Sequence, residues 1–181
     1  MKKISEKTLF EGNWLLLKET TYSNSGGNEI KWESIERKRK RVVLVVIGIL
    51  VPSNRYVLIR QYRPAVDNYV IGFHAGISDS YNIAEEALRE LREETGYVGR
   101  VTAISPILKV NSGIMDDSCN IINVEIDEKD PRNANPMQSL EPSEEIEVVL
   151  KREDNIKKFL QQEKKKGYEI GAGLWYFFGI K

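Results

Sequence analysis

Residues 89–97 read Arg-Glu-Leu-Arg-Glu-Glu-Thr-Gly-Tyr. This stretch predicts an acidic α-helix that is ended by the glycine. Side chains four residues apart lie one above the other on an α-helix, so Glu86, Glu90 and Glu94 form an acidic ridge with Glu93 beside it. Like charges stacked in this way repel each other unless a basic side chain or a divalent cation lies among them. The ridge is therefore either a solvated acidic face or a cation site.

The helix that carries this ridge has recognisable limits. We predict that it runs from Ile83 to Thr95, because Gly96 follows at the position that favours a left-handed helix cap. Arg89 lies four residues before Glu93, so we expect its guanidinium to hold a carboxylate of the helix rather than to touch a substrate.

Composition limits the class of protein. The chain has 181 residues, of which 41% are hydrophobic, and this is enough for one well-buried core. We therefore expect a single domain over residues 1–181. Lys and Arg total 27 and Asp and Glu total 27, so no net charge favours nucleic acid or an acidic membrane. The single cysteine, Cys119, rules out an internal disulfide. The start Met1–Ser5 lacks the apolar run of a signal peptide, so we expect a cytoplasmic protein.

Hydrophobic periodicity predicts more strands than helices. A hairpin is indicated by Leu9–Tyr22 and Asn28–Arg37, with Asn24–Gly27 between them. An amphipathic helix is predicted at Asp154–Lys166, and the aromatic tail 174–178 is predicted to be core. Together these elements favour an α/β fold with a mixed sheet. Further strands are predicted at Val42–Val51, Tyr56–Gln61, Tyr69–Phe73, Tyr97–Val110, Ser118–Ile126 and Glu144–Leu150.

The stretch at residues 89–97 resembles the end of the Nudix box, G-x5-E-x7-R-E-U-x-E-E-x-G-U, where U is aliphatic or aromatic. Arg60–Ala65 resembles the R-Q-Y-R-P segment of the ADP-ribose pyrophosphatase branch, and Phe73–Gly76 stands where that branch has L/F-P-A-G. The resemblance runs from about residue 9 to residue 150. It implies a Nudix-type α/β/α sandwich with an N-terminal β-hairpin extension, and a homodimer in which residues 1–40 form part of the contact.

The resemblance also implies a metal site. Its ligands would be the carboxylates of Glu90 and Glu94 and the backbone carbonyl of Ala75. Glu93 would be a further ligand or a group that contacts the ligands without touching the metal. Hydrolysis of a diphosphate requires that negative charge on the phosphate oxygens is neutralised and that a water molecule is placed in line with the bond that breaks. Mg²⁺ serves both needs. We therefore expect Mg²⁺, with Mn²⁺ as the alternative.

In this branch the catalytic base comes from an acidic loop late in the chain. Residues 141–148 match that loop, and Glu144 aligns with the base through the apolar-Glu-Val that follows it. The alternative is that Glu144 and Glu145 are simply exposed loop charges.

Substrate contacts are implied at six positions. Trp14 and Trp32 match tryptophans that stack the adenine across a dimer, since flat indoles desolvate both faces of a purine. Core packing or a plain dimer contact is the alternative. The other matches are Glu33 and Arg37 at the nucleotide, Arg63 at a phosphate, and Asp117, beside Asp116, at the terminal ribose.

The chain departs from the family pattern near the proposed metals. Gly72 stands where the branch has a glutamate. Gly76 and Arg89 are thirteen steps apart where the box has fourteen, so the first box glutamate is replaced by Tyr81 or Asn82. Glu86 and Asp79 are the candidate substitutes for it.

His74 replaces the family's proline. Either it packs or bonds a backbone carbonyl, or it binds metal or carries protons.

Three functions follow. The first is Mg²⁺-dependent hydrolysis of ADP-ribose or a related ADP-sugar to AMP and a sugar phosphate. The second is a pyrophosphatase for another nucleotide sugar or a dinucleotide. The third is a domain with impaired metal chemistry that binds or senses a nucleotide, which the two missing carboxylates motivate.

Overall fold

The computed structural model describes residues 1–39, 41–78 and 82–179. The helices within these residues are α1 (Ile83–Thr95), α2 (Glu153–Lys165) and α3 (Ala172–Phe178). The strands are β1 (Lys2–Glu11), β2 (Leu15–Ser23), β3 (Glu29–Arg37), β4 (Val42–Val51), β5 (Arg55–Arg63), β6 (Asn68–Gly72), β7 (His74–Ser78), β8 (Arg100–Ile104), β9 (Leu108–Lys109), β10 (Ser118–Asp127), β11 (Ile146–Arg152) and β12 (Glu169–Ile170). The chain divides into two compact units, of which the first is built mainly on Met1–Val43 and Pro106–Asn120.

The first unit contains a three-stranded sheet in the order β1-β2-β3. The predicted hairpin is confirmed, because β2 and β3 pair antiparallel with Thr20 opposite Trp32. Its turn is closed by the Asn24 side chain, whose oxygen accepts the backbone N–H groups of Gly26 and Asn28 at 2.9 and 3.0 Å. An Asn side chain that bonds the backbone ahead of it is typical of tight turns.

The start of the hairpin is where the sequence prediction was wrong. It placed a strand from Leu9 onward, but the structure ends β1 at Glu11 and begins β2 at Leu15, with Gly12 N–H donating to the Leu15 carbonyl at 2.9 Å. All ten residues of β1 are exposed, so the strand buries no face and leaves no apolar alternation in the sequence.

The second unit contains most of the larger sheet, whose main path runs β12-β6-β5-β4-β10-β8, with β11 paired to β5. Its pairing is mixed, since β11 is antiparallel to β5 and β12 is parallel to β6. Leu58 and Ile71 of the sheet form one core cluster with Ile156, Leu160 and other residues of α2 and α3. Side chains alternate along a strand, so the buried neighbours of Leu58 face the opposite side. The α/β mixed-sheet prediction is confirmed.

Two further predictions need correction. The strand predicted over Tyr97–Val110 is broken into β8 and β9, with residues 105–107 between them in neither strand. The tail is a helix with only one side in the core: Leu174 and Phe178 are buried, whereas Tyr176 is 70% exposed. In a short helix only every third or fourth side chain faces the core on which the helix packs. No helix among the described residues is long and apolar enough to cross a bilayer.

Candidate active site

Helix α1 presents its acidic ridge from a well-defined frame. Its limits match the prediction: the Asn82 side chain accepts the Glu85 N–H at the start, and Gly96 ends the helix with φ of 79°. The buried residues are Ala87, Leu91 and Glu94, spaced four and three residues apart, and Thr95. Glu94 therefore lies on the inward face together with apolar side chains, and the helix buries its carboxyl as it packs.

Arg89 neutralises the carboxylates on the exposed side of α1. Its guanidinium reaches Glu86 at 2.9 Å, Glu90 at 2.5 Å and Glu93 at 2.5 Å. Hydrogen bonding to Glu86, together with the charges of Glu90 and Glu93, raises the pKa of Arg89. The contact with Glu93 is the one that the four-residue spacing predicts. Glu93 is 41% exposed, so its carboxylate is held by Arg89 at the surface.

Gly76 provides the space that Glu90 occupies. A Cβ atom on residue 76 would lie 2.3 Å from Glu90 Cδ and 2.7 Å from its Oε1. Real Cβ atoms essentially never approach so closely, so this seat for Glu90 requires glycine. Burial, aided by the charges of Glu93 and Glu144, raises the pKa of the Glu90 carboxyl, although Arg89 opposes this shift.

Glu94 and His74 form a buried pair of titratable groups. Glu94 is 3% exposed and His74 is fully buried, with His74 Nδ1 lying 3.6 Å from Glu94 Oε2. Within the described part of the chain, neither ring nitrogen nor that oxygen has a hydrogen-bond partner. Burial raises the pKa of Glu94 to about 8, helped by the charges of Glu144 and Glu90. Burial lowers the pKa of His74 to about 3. His74 therefore packs in the interior, as expected, and neither of its ring nitrogens bonds a backbone carbonyl.

Glu144 and Arg63 lie within electrostatic reach of Glu94. The charge of Glu144 raises the pKa of Glu94, and the charge of Arg63 lowers it. Glu144 belongs to a tight turn in which its Oε2 accepts the Glu141 N–H at 3.0 Å. The structure thus brings a carboxylate from the acidic loop towards the two carboxylates of α1.

A divalent cation suits this group of residues. Two crowded carboxyls with raised pKa values, one of them with an unbonded buried oxygen, gain stability when positive charge compensates them. Ala75 follows His74 on β7 and donates its backbone N–H to Glu94. Within the described ranges, no three His, Cys, Asp or Glu side chains form a ready-made metal cage. Ligands from water and substrate phosphate would complete such a site, as they commonly do for Mg²⁺.

The chain departs from the family pattern at Gly72 and at the first box glutamate, and the structure describes these two places differently. At Gly72 an added Cβ would meet nothing within 4 Å, so the position of the missing glutamate is open space. Asn82 is the N-cap of α1. Asp79 and Tyr81 lie outside the described residues. Glu86, the other candidate substitute, is bound to Arg89.

The proposed base-stacking residues are solvent-accessible in the first unit. Trp14 lies between β1 and β2 and is 80% exposed, and Trp32 on β3 is 52% exposed. The indole N–H of Trp32 donates to the Gly113 carbonyl at 2.9 Å, which fixes the plane of the ring. Glu33, next on β3, is also exposed. Neither tryptophan is a core residue of this unit, so the core-packing alternative is wrong.

Arg37 and Asp117 are brought together, which the sequence did not predict. Their side chains form a two-pronged ion pair, with Nε and Nη2 of Arg37 at 3.1 and 3.0 Å from the carboxylate. The pair lines a cavity of about 200 Å³ to which Lys109 and Asp116 also contribute. Cys119 nearby is buried and unbridged, as expected of an inert core residue.

The raised pKa of Glu94 predicts how stability changes with pH. The folded-state pKa, about 8, lies above the ordinary value of 4.5, so the unfolded chain loses this proton first. Stability contributed by the neutral carboxyl is therefore lost as pH rises towards 8. His74 adds no slope above its ordinary value of 6.5, because it is then neutral in both states. We expect the Tm of protein kept in EDTA to fall between pH 6.5 and 9.

The control for this experiment is Glu94→Gln, which keeps the shape of the side chain and cannot ionise. Its Tm should vary less over the same pH range, and Mg²⁺ should raise the Tm of the unaltered protein more than that of the variant. Equal pH slopes for the two proteins would contradict the assigned burial of Glu94.

Comparison with known proteins identifies the family. No family model matches the chain. It is 33% identical over 174 residues to an uncharacterised Nudix hydrolase of Schizosaccharomyces pombe, covering 92% of this chain and 85% of the relative. It is also 33% identical over 153 residues to the ADP-sugar pyrophosphatase of Mus musculus, covering 80% of this chain and 70% of the relative.

The fold matches that of a solved structure. The structure superposes on a crystal structure of an ADP compounds hydrolase with a TM-score of 0.65 at 19% identity, covering 92% of this chain and 96% of the other. A sequence identity of 19% supports the fold alone. The two relatives found by sequence are 33% identical and share most of their length with this chain. With 33% identity to two relatives over most of their length, the chain belongs to the Nudix hydrolases.

Proposed function

We propose that the protein hydrolyses the diphosphate bond of ADP-ribose or a related ADP-sugar to AMP and a sugar phosphate. The observation that carries this proposal is the arrangement of Glu90 against Gly76 beside the buried carboxyl of Glu94. Two neighbouring carboxylates suit a divalent cation that also coordinates phosphate oxygens. The name of the mouse relative, an ADP-sugar pyrophosphatase, supports the choice of substrate.

In this proposal each residue has a distinct task. Glu90, Glu94 and the carbonyl of Ala75 would hold Mg²⁺, or alternatively Mn²⁺, which when bound neutralises phosphate charge and acidifies water. Glu144 accepts the proton of the attacking water as general base. Arg63 donates paired N–H groups to phosphate oxygens.

The remaining residues would hold the substrate or the site. Arg89 holds Glu93 and Glu90 in place, which is a positioning role. Trp14 and Trp32 would stack on the base, and Glu33, Arg37 and Asp117 would contact the nucleoside and the ribose. By resemblance we also propose that residues 1–181 act as one Nudix domain and that residues 1–40 contribute to a homodimer. The exposed apolar side chains of Ile4 and Phe10 on β1 support such a contact.

The deciding experiment is incubation of the purified protein with ADP-ribose and Mg²⁺, followed by chromatography of the products. We expect AMP and ribose phosphate in equal amounts, and none in EDTA. Faster cleavage of a non-adenine nucleotide sugar or of a dinucleotide would favour the second function. Absence of products with Mg²⁺ and Mn²⁺, together with tight nucleotide binding by calorimetry, would favour a nucleotide sensor, for which the open space at Gly72 is the supporting observation.

A further inference from the structure

The loop before β11 is joined to the end of α1 by close backbone contact. An added Cβ on Gly96 would lie 2.4 Å from Met137 N and 2.6 Å from Pro136 C, so two backbones touch at this position. The Ser139 N–H donates to the Glu93 carbonyl at 2.8 Å. The last carbonyls of a helix lack partners within it, and the loop supplies one of the missing donors.

Gln138 supplies the next donor and also reaches a second element. Its side-chain nitrogen lies 2.6 Å from the Glu94 carbonyl and 3.1 Å from the Ile146 carbonyl. A primary amide carries two N–H donors, so both bonds can form at once. The Gln138 amide thus connects two elements. One bond goes to Glu94, whose carboxyl is proposed to bind the cation, and the other goes to Ile146, the first residue of β11.

The Ile146 end of this bridge lies two residues after Glu144. On its other side this part of the loop is held by β5, because Tyr62 N–H donates to the Glu145 carbonyl at 3.2 Å. Ile146 itself is 7% exposed and pairs with Gln61. The acidic loop is therefore anchored to the sheet through its backbone, and to α1 through the Gln138 side chain and the Ser139 N–H.

We propose that Gln138 is a positioning residue that sets the distance between Glu144 and the carboxylates of α1. This inference rests on the proposed hydrolysis, in which Glu144 is the base. Glu90 and Glu94 already feel the charge of Glu144, so the separation of these groups matters for both proton transfer and cation binding. Because Gln138 is exposed and packs no core, its removal alters this spacing without opening a cavity.

Two substitutions test the bridge. Gln138→Met keeps the length and removes both donors, whereas Gln138→Asn keeps the amide but is one methylene too short to span both carbonyls. We expect each to lower kcat for ADP-ribose by about 10- to 100-fold, the size of effect that a misplacement of about 1 Å produces. KM should change less than about threefold, because both donors of the amide bond backbone carbonyls and none is left for a substrate. The matched control is Gln162→Met, at an exposed position on α2.

A double-mutant cycle separates positioning from a merely structural effect. Once Glu144→Gln has removed the base, Gln138→Met should cost little further activity, whereas independent effects would multiply. An unchanged kcat in both Gln138 variants, or multiplied losses in the double variant, would overturn the inference while leaving the proposed function intact. If the unaltered protein releases no AMP, the proposed function fails and this inference fails with it.

Discussion

Glu94→Gln is expected to lower the rate of AMP release from ADP-ribose by about 10²- to 10³-fold, the effect typical of losing one group that acts on developing charge. The substitution keeps the shape of the side chain and removes its charge. Glu94 is 3% exposed with one unbonded oxygen, and its pKa is raised to about 8 because the carboxylate is costly to bury without a compensating cation. The variant should therefore fold at least as stably as the unaltered protein in EDTA.

Steady-state kinetics and thermal unfolding of the same preparation check this prediction. Glu85→Gln is the matched control, because Glu85 lies exposed in the first turn of the same helix. Its rate should stay within about twofold of the unaltered protein, as expected for a surface change away from the site. An unchanged rate in Glu94→Gln would remove α1 from the chemistry, whereas loss of both activity and folding would leave Glu94 with a structural role only.

Gly76→Ala is expected to lower kcat by about 10²-fold while the protein remains folded. The new Cβ would lie 2.3 Å from Glu90 Cδ and 2.4 Å from its Cγ, and both atoms belong to a side chain that can rotate away. Relief of the clash moves the carboxylate instead of the backbone, so stability changes less than activity. A misplacement of about 1 Å at a reacting centre is enough for a loss of this size.

The test compares kcat of Gly76→Ala with that of Glu90→Gln. If Gly76 acts by seating Glu90, the two variants should be impaired to a similar degree, and the double variant should be little worse than either one. Gly173→Ala is the control, because a Cβ at that position meets nothing within 4 Å. Full activity in Gly76→Ala would show that the position of Glu90 is not critical.

The regular elements near the site are predictable because their signals are local. Helix α1 begins and ends where its sequence indicates, since a cap and a terminating glycine act over a few residues. Strand β1 was missed because it buries no side chain, and β7 was missed because His74–Ser78 has neither length nor β-branched alternation. Hydrophobic patterns report burial, and an exposed or very short strand leaves no such pattern.

The sequence by itself determined the acidic ridge, the Nudix resemblance and the pairing of Arg89 with Glu93, because each depends on residues a few positions apart on one helix. Only the tertiary structure decided that Glu94 is buried beside His74, that Glu90 rests on Gly76, and that Gln138 joins the end of α1 to the loop of Glu144. These contacts join segments distant in the chain, and their burial shifts the pKa values of the carboxyls. Spacing along a helix fixes which side chains share a face, but the dielectric and the partners that they meet are set by the elements packed against that face.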